Sequence, residues 1–291
     1  MDAAEIFKKV RKIEIKTRGL SNQIFSGQYH SVFKGRGMAF SEVREYQFGD
    51  DIRSIDWNVT ARFNHPYVKI FEEERELTVM LLIDVSGSNE FGTRIAMKED
   101  MITEIAAVLA FSAIQNNDKV GVIFFSNTIE KFIPPKKGTS HILRIIRELV
   151  DFKTVNQGTN ISESLRFLTN AIKKKCTTFV LSDFIDREFE EAMQIANNKH
   201  DVIAIRVYDP REMELPNIGL AKFKDAETGE NRWVDTSSAV TRKAYRDYFN
   251  ETERYLKRVF LKSGVDVAKI RTDEDYVKQL LKLFKKREAR V

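Results

Sequence analysis

The sequence predicts an α/β fold: a mostly parallel, Rossmann-like sheet flanked by helices over residues 76–291, with a small β-rich appendage over residues 1–75. Three observations predict it. Strand-length runs such as "LTVMLLIDV" (77–85) and "KVGVIFFS" (119–126) are apolar almost throughout, as strands buried on both faces are. Segments with helical spacing of apolar residues lie between these runs, and such alternation implies crossover connections in a parallel sheet. Finally, two of the runs end abruptly in aspartate, at Asp84 and Asp183.

The elements follow in order. After the first strand, "TRIAMKEDMITEIAAVLAFSAIQNN" is helical, with Met101, Ile105 and Leu109 on one stripe and Ile102 and Ala106 beside it. "IEKFIPP" (129–135) alternates and stops at two prolines, as an edge strand does. Two helices come next, "SHILRIIRELV" and "NISESLRFLTNAIKKK", and in the second Asn160 and Glu163 have capping-box spacing. "TTFVLSD" (177–183) and "DVIAIRVYD" (201–209) are further core strands, separated by an amphipathic helix around residues 188–197. "LAKFKDAETGENRWVD" (220–235) has the form of a hairpin turning at "ETGE", and "VDVAKI" is a last strand before a terminal helix. The first 75 residues contain Gly turns, aromatics and short extended runs, with a helix expected only near residues 2–12.

Composition narrows the function. A 42% hydrophobic, 31% charged chain of 291 residues is globular rather than disordered. Its longest apolar runs are too short to span a bilayer, and "MDAAEIFKKVRKIEIK" lacks the apolar core of a signal peptide. The single cysteine, Cys176, excludes an internal disulfide, so a cytoplasmic location is expected. The net charge of +5 arises from 48 basic and 43 acidic residues that are interleaved. Nucleic-acid binding, which needs a concentrated basic face, is therefore the weaker alternative. The basic end, "KLFKKREARV", is expected to be a helix with Leu281 and Phe284 inward and its lysines solvated.

In an open parallel sheet, ligands gather beyond the carboxyl ends of the strands. Asp84, Ser86 and Ser88 lie in "DVSGS" after the first strand, Asp183 ends a later one, and Thr159 precedes a helix that returns to the sheet. Together they offer only hard oxygen donors, which favours magnesium, manganese or calcium over zinc or copper.

"DVSGS", with Thr159 in "GTNISESL" and Asp183 in "LSDF", resembles the metal-ion-dependent adhesion site of von Willebrand factor type A domains. The resemblance implies that Ser86, Ser88 and Thr159 bind the metal through their hydroxyls and that Asp84 and Asp183 act directly or through water. An open coordination position would then accept a partner's Asp or Glu. A second resemblance covers most of the chain, over "GRGMAFSEVREYQFGDDIRSIDWNVTAR" and "DPREMELPNIG". It is to the bacterial family called domain of unknown function 58, and implies a protein partner of the MoxR-type AAA+ ATPase class. Asp50, Asp51, Arg53 and Asp56 crowd beside Trp57 in this segment. Either they form a network anchored by a buried Trp57, or their carboxylates serve the metal or the partner.

Catalytic readings are weaker. "LLIDVSGS" has the outline of a haloacid-dehalogenase phosphatase strand, but Ser86 stands where the general acid would be, and serine cannot fill that role near neutral pH. The four histidines, His30, His65, His141 and His200, are scattered without zinc spacing. There is no P-loop and no nucleophile elbow. A metal-dependent hydrolase is thus the alternative to a metal-dependent binding module.

Overall fold

The computed structural model describes residues 39–72, 77–87, 97–152, 158–224 and 231–290. Ser88, the helix expected near residues 2–12 and the "ETGE" turn lie outside the described residues. The chain divides into two compact units, Phe33–Leu77 and a larger one that contains Thr78–Val291.

In the smaller unit, β1 (Ala39–Glu45) pairs antiparallel with β2 (Tyr67–Glu72). Between them lie a 3-10 turn (Ile52–Ser54) and a helix, α1 (Trp57–Phe63), where the sequence led us to expect extended chain. The reason is capping. Asp51 accepts from the Arg53 N–H, and Asp56 from the N–H groups of Asn58 and Val59, supplying acceptors that otherwise unpaired donors at a helix start require. Asn64, in the left-handed region at φ 55°, ends the helix. Asp50 grips Arg44 through two bonds of 2.7 and 2.8 Å. Three of the clustered carboxylates therefore have local structural work. Trp57 is not a buried anchor: it is 67% exposed.

The larger unit has the expected α/β architecture. Its six-stranded sheet has the order β10-β7-β6-β3-β4-β5, formed by β3 (Thr78–Asp84), β4 (Lys119–Phe125), β5 (Ile129–Lys136), β6 (Thr177–Ser182), β7 (Asp201–Tyr208) and β10 (Asp266–Arg271). Only β5, the edge strand with the two prolines, runs antiparallel. A separate hairpin pairs β8 (Leu220–Lys224) with β9 (Asn231–Asp235). The helices are α2 (Lys98–Gln115), α3 (Thr139–Val150), α4 (Ile161–Ala171), α5 (Glu190–Lys199), the single turn α6 (Pro210–Met213), α7 (Ala239–Lys262) and α8 (Tyr276–Glu288).

Strand β3 shows why the fold forms. Val79 to Ile83 are all fully buried, and removing each such side chain from water contributes roughly 1.5–3 kcal/mol. Met80 and Leu82 join a core with Leu165 of α4, Met193 of α5 and Leu256 of α7. Alternation turns Val79, Leu81 and Ile83 to the opposite face, where α2 packs. Helix α2 is buried on nearly all sides rather than along one stripe, because it lies between the sheet and α3. At the C-terminus, Leu283 turns inward with Phe284, and Leu281 is only half-buried. Arg287 pairs with Asp201 and Asp266, so the basic tail is partly neutralised.

Gly121 sits at the register shift between β4 and β5, where a Cβ would lie 2.7 Å from Met80 Sδ and 2.9 Å from the Pro135 nitrogen. Backbone cannot yield there as a flexible side chain could. Gly121→Ala is therefore expected to destabilise the protein by about 2 kcal/mol in chemical denaturation. A loss below about 0.5 kcal/mol, the range of an ordinary surface change, would contradict the seating of β5.

Candidate functional site

The strand order determines where a ligand can sit. Counted within the sheet, β3 is the first strand and β6 the fourth, and they are neighbours. The chain leaves β3 toward β4 on one side and leaves β6 toward β7 on the other. The connections diverge at the carboxyl ends of these two strands, the place where ligands gather in open α/β sheets. Asp84 ends β3 and Asp183 directly follows β6.

Hydrogen bonds draw the remaining segments to this edge. The Val85 N–H donates to Phe125 O at the end of β4, and the Asn160 N–H donates to Ser126 O one residue further on. Thr159 is thereby brought to the edge shared by β3 and β4. Asn160 caps α4 by accepting from the Glu163 N–H, and the Ile161 N–H donates to Asp186 beyond β6. The turn after Asp183 is tight: Phe184 has φ 58°, an uncommon conformation for a residue with a side chain. Its buried ring packs on Phe189 and Phe260, which offsets that strain.

Of the five residues expected to bind metal, four are described. Asp84 is 2% exposed and accepts from the Ser182 hydroxyl at 2.6 Å and the Ser86 N–H at 3.0 Å. Ser86 is buried, and its side chain also bonds to Asp84. The Thr159 hydroxyl oxygen is buried without a hydrogen-bond partner. Asp183 is fully buried, with Oδ1 accepting from the Ile185 N–H.

Two residues at this site were not anticipated. Lys98, at the start of α2, is 1% exposed, and its ammonium lies 2.8 Å from Asp183 Oδ2 and 2.9 Å from Glu212 Oε1. Glu212 is held by a capping box in which Asp209 accepts from the Arg211 N–H and Glu212 accepts from the Asp209 N–H. Both left a trace in the sequence. Lys98 occupies the same stripe as Met101, Ile102 and Ile105, and "DPRE" has the form of a capped helix start. Behind Asp183, Arg206 donates to its backbone oxygen at 3.0 Å and pairs with Glu253 of α7.

Electrostatics here follow from burial. Desolvation, reinforced by the Asp183 charge, pushes the Asp84 carboxyl up to about 7 against the pull of the Ser182 and Ser86 hydroxyls. Desolvation also opposes the Lys98 ammonium, but Asp183 and Glu212 outweigh it and hold the proton more tightly than usual. Burial raises Glu212 despite Lys98.

The donor set fits a hard divalent cation. It supplies carboxylate and hydroxyl oxygens alone, one hydroxyl is buried and unsatisfied, and burial together with the Asp183 charge disfavours an ionised Asp84. Among the described residues no three or more His, Cys, Asp or Glu side chains cluster as a metal cage. Hydroxyls would therefore have to provide a large share of any coordination. Among the described residues, too, no helix is long and apolar enough to cross a membrane.

Residues 42–255 match the family described as protein of unknown function DUF58, and the chain belongs to it. The uncharacterized protein Rv1480 of Mycobacterium tuberculosis is 26% identical over 99% of this chain and 91% of its own length. The uncharacterized protein YeaD of Bacillus subtilis is 28% identical over 38% of this chain and 25% of its own length. Similar solved structures include an aerotolerance-related membrane protein from Bacteroides fragilis, at a TM-score of 0.49 and 16% identity over 74% of this chain and all of that one. The SpRpn10 VWA domain has a TM-score of 0.41 and 11% identity over 71% and 94% of the respective chains.

A carboxyl whose folded value lies above its unfolded value binds more protons in the native state across that interval. The contribution of Asp84 to cation-free stability should therefore fall as pH rises from about 4 to about 7. In EDTA, Asp84→Asn should be more stable than wild type at pH 8 by about 1–3 kcal/mol and should show a shallower decline. Identical slopes in urea denaturation across this range would contradict the account of Asp84.

Proposed function

We propose that this protein is a metal-dependent protein–protein interaction module, holding a divalent cation, magnesium first, at the crevice between β3 and β6. Asp84 with the hydroxyls of Ser86, Ser88 and Thr159 would hold the ion, and Asp183 would contribute directly or through water. When bound, the cation supplies an electrophilic position that a partner's Asp or Glu can fill. The observation that carries this reading is the unsatisfied, buried Thr159 hydroxyl at the sheet edge where the Asp84 carboxylate is buried.

The protein's own residues account for the rest of the task. The Ser182 and Ser86 hydrogen bonds hold the Asp84 carboxylate in one orientation before any ligand arrives. Such preorganisation lowers the ordering cost of binding. Hydroxyl ligands add no negative charge, so the cation would keep its attraction for a carboxylate from outside. Manganese and calcium satisfy the same oxygen chemistry. The partner we infer is a MoxR-type AAA+ ATPase, on the strength of the family resemblance, with this protein as its adaptor or co-chaperone.

Calorimetric titration with magnesium should show one site in the wild type, weakened by about tenfold or more in Ser86→Ala and in Thr159→Ala, with circular dichroism unchanged. Capture of a purified MoxR-type ATPase should require magnesium and fail in EDTA or with Ser86→Ala. Tight magnesium binding by Ser86→Ala would overturn the site assignment. Capture indifferent to EDTA would overturn metal-dependent docking.

A further inference from the structure

The Lys98 ammonium stands where a cation-binding site would not be expected to hold one. A buried lysine flanked by two carboxylates has an ordinary structural use, pinning the start of α2 to the sheet. Its placement goes further, because one of those carboxylates is Asp183. With Oδ2 on the ammonium and Oδ1 on the Ile185 N–H, both oxygens of Asp183 are already engaged. The Asp183 backbone is held as well, through its carbonyl on the Arg206 side chain.

We propose that Lys98 is a positioning residue of the crevice: its ammonium holds Asp183 back from a bound divalent cation, so that Asp183 acts on the ion through its field while Asp84 and the hydroxyls coordinate it. This rests on the metal reading above. The arrangement keeps one formal negative charge out of direct coordination and leaves the ion more attractive to a carboxylate from a partner. Glu212 tunes the hold. By sharing the ammonium at 2.9 Å it draws Lys98 partly away from Asp183, and the capping box locks Glu212 in that position. The 209–219 segment thereby acquires a role, since it carries Glu212 to the site.

The test is the affinity of the full chain for manganese, measured by titration calorimetry at fixed pH, with Lys98→Met and Glu212→Gln. Lys98→Met removes the competing positive charge and should bind manganese about tenfold or more tightly. Glu212→Gln retains an oxygen for the Asp209 N–H and the ammonium but removes the charge that competes with Asp183 for Lys98, and should bind several-fold more weakly. Equal or weaker binding by a folded Lys98→Met overturns the proposal. If Lys98→Met fails to fold, Glu212→Gln decides, and an affinity at or above that of wild type overturns it. Binding by Lys98→Met alone, with none by wild type, supports the antagonism and overturns metal-dependent docking. No binding by any of the three proteins overturns both.

Discussion

Everything at the candidate site depends on β3 being paired on both sides, with β4 at one edge and β6 at the other. A strand in that position has its backbone polar groups satisfied by neighbours and its side chains removed from water on both faces. It can be almost wholly apolar, and it has to end where a polar residue can reach the sheet edge. Because the chain turns opposite ways after β3 and β6, the residues that end these strands fall where the two connections part.

Burying two carboxylates there is costly, and the surrounding structure shows how the cost is met. Asp183 has an ammonium at 2.8 Å and the N–H of Ile185. Asp84 accepts from the Ser182 hydroxyl and from Ser86, which offset only part of the burial and of the Asp183 charge that push its carboxyl up. The two acids thus differ in kind. Asp183 lies against an ammonium, whereas burial and the Asp183 charge disfavour the ionised form of Asp84, which an added cation would favour.

The compensating residues come from distant parts of the chain. Lys98 starts α2, Glu212 sits in the short turn after β7, and Arg206 reaches from β7 to the carbonyl of Asp183 and on to Glu253 of α7. Arg206 also stacks over Tyr208 and Phe249, giving a buried guanidinium aromatic as well as ionic company. The crevice is therefore tied into a charged layer that joins α2, β7 and α7. A change in any one of these elements alters the electrostatics at Asp183.

The α/β architecture, the core strands and the residues bordering the crevice were legible in the sequence. Continuous apolar runs have one economical fate, a doubly covered sheet, and polar residues directly after such a run fall at its edge. The short-range chemistry of the smaller unit was misread: Asp51 and Asp56 are caps, "WNVTARF" is helical, and Trp57 is exposed. Extended chain and a capped turn share similar composition over so few residues, and burial of one aromatic depends on neighbours distant in sequence. Composition and spacing by themselves determined that Asp84, Ser86, Thr159 and Asp183 border one sheet edge. Only the tertiary structure decided that Lys98 lies between Asp183 and Glu212, because its contacts with them span 85 residues and more along the chain and arise from packing that no local pattern encodes.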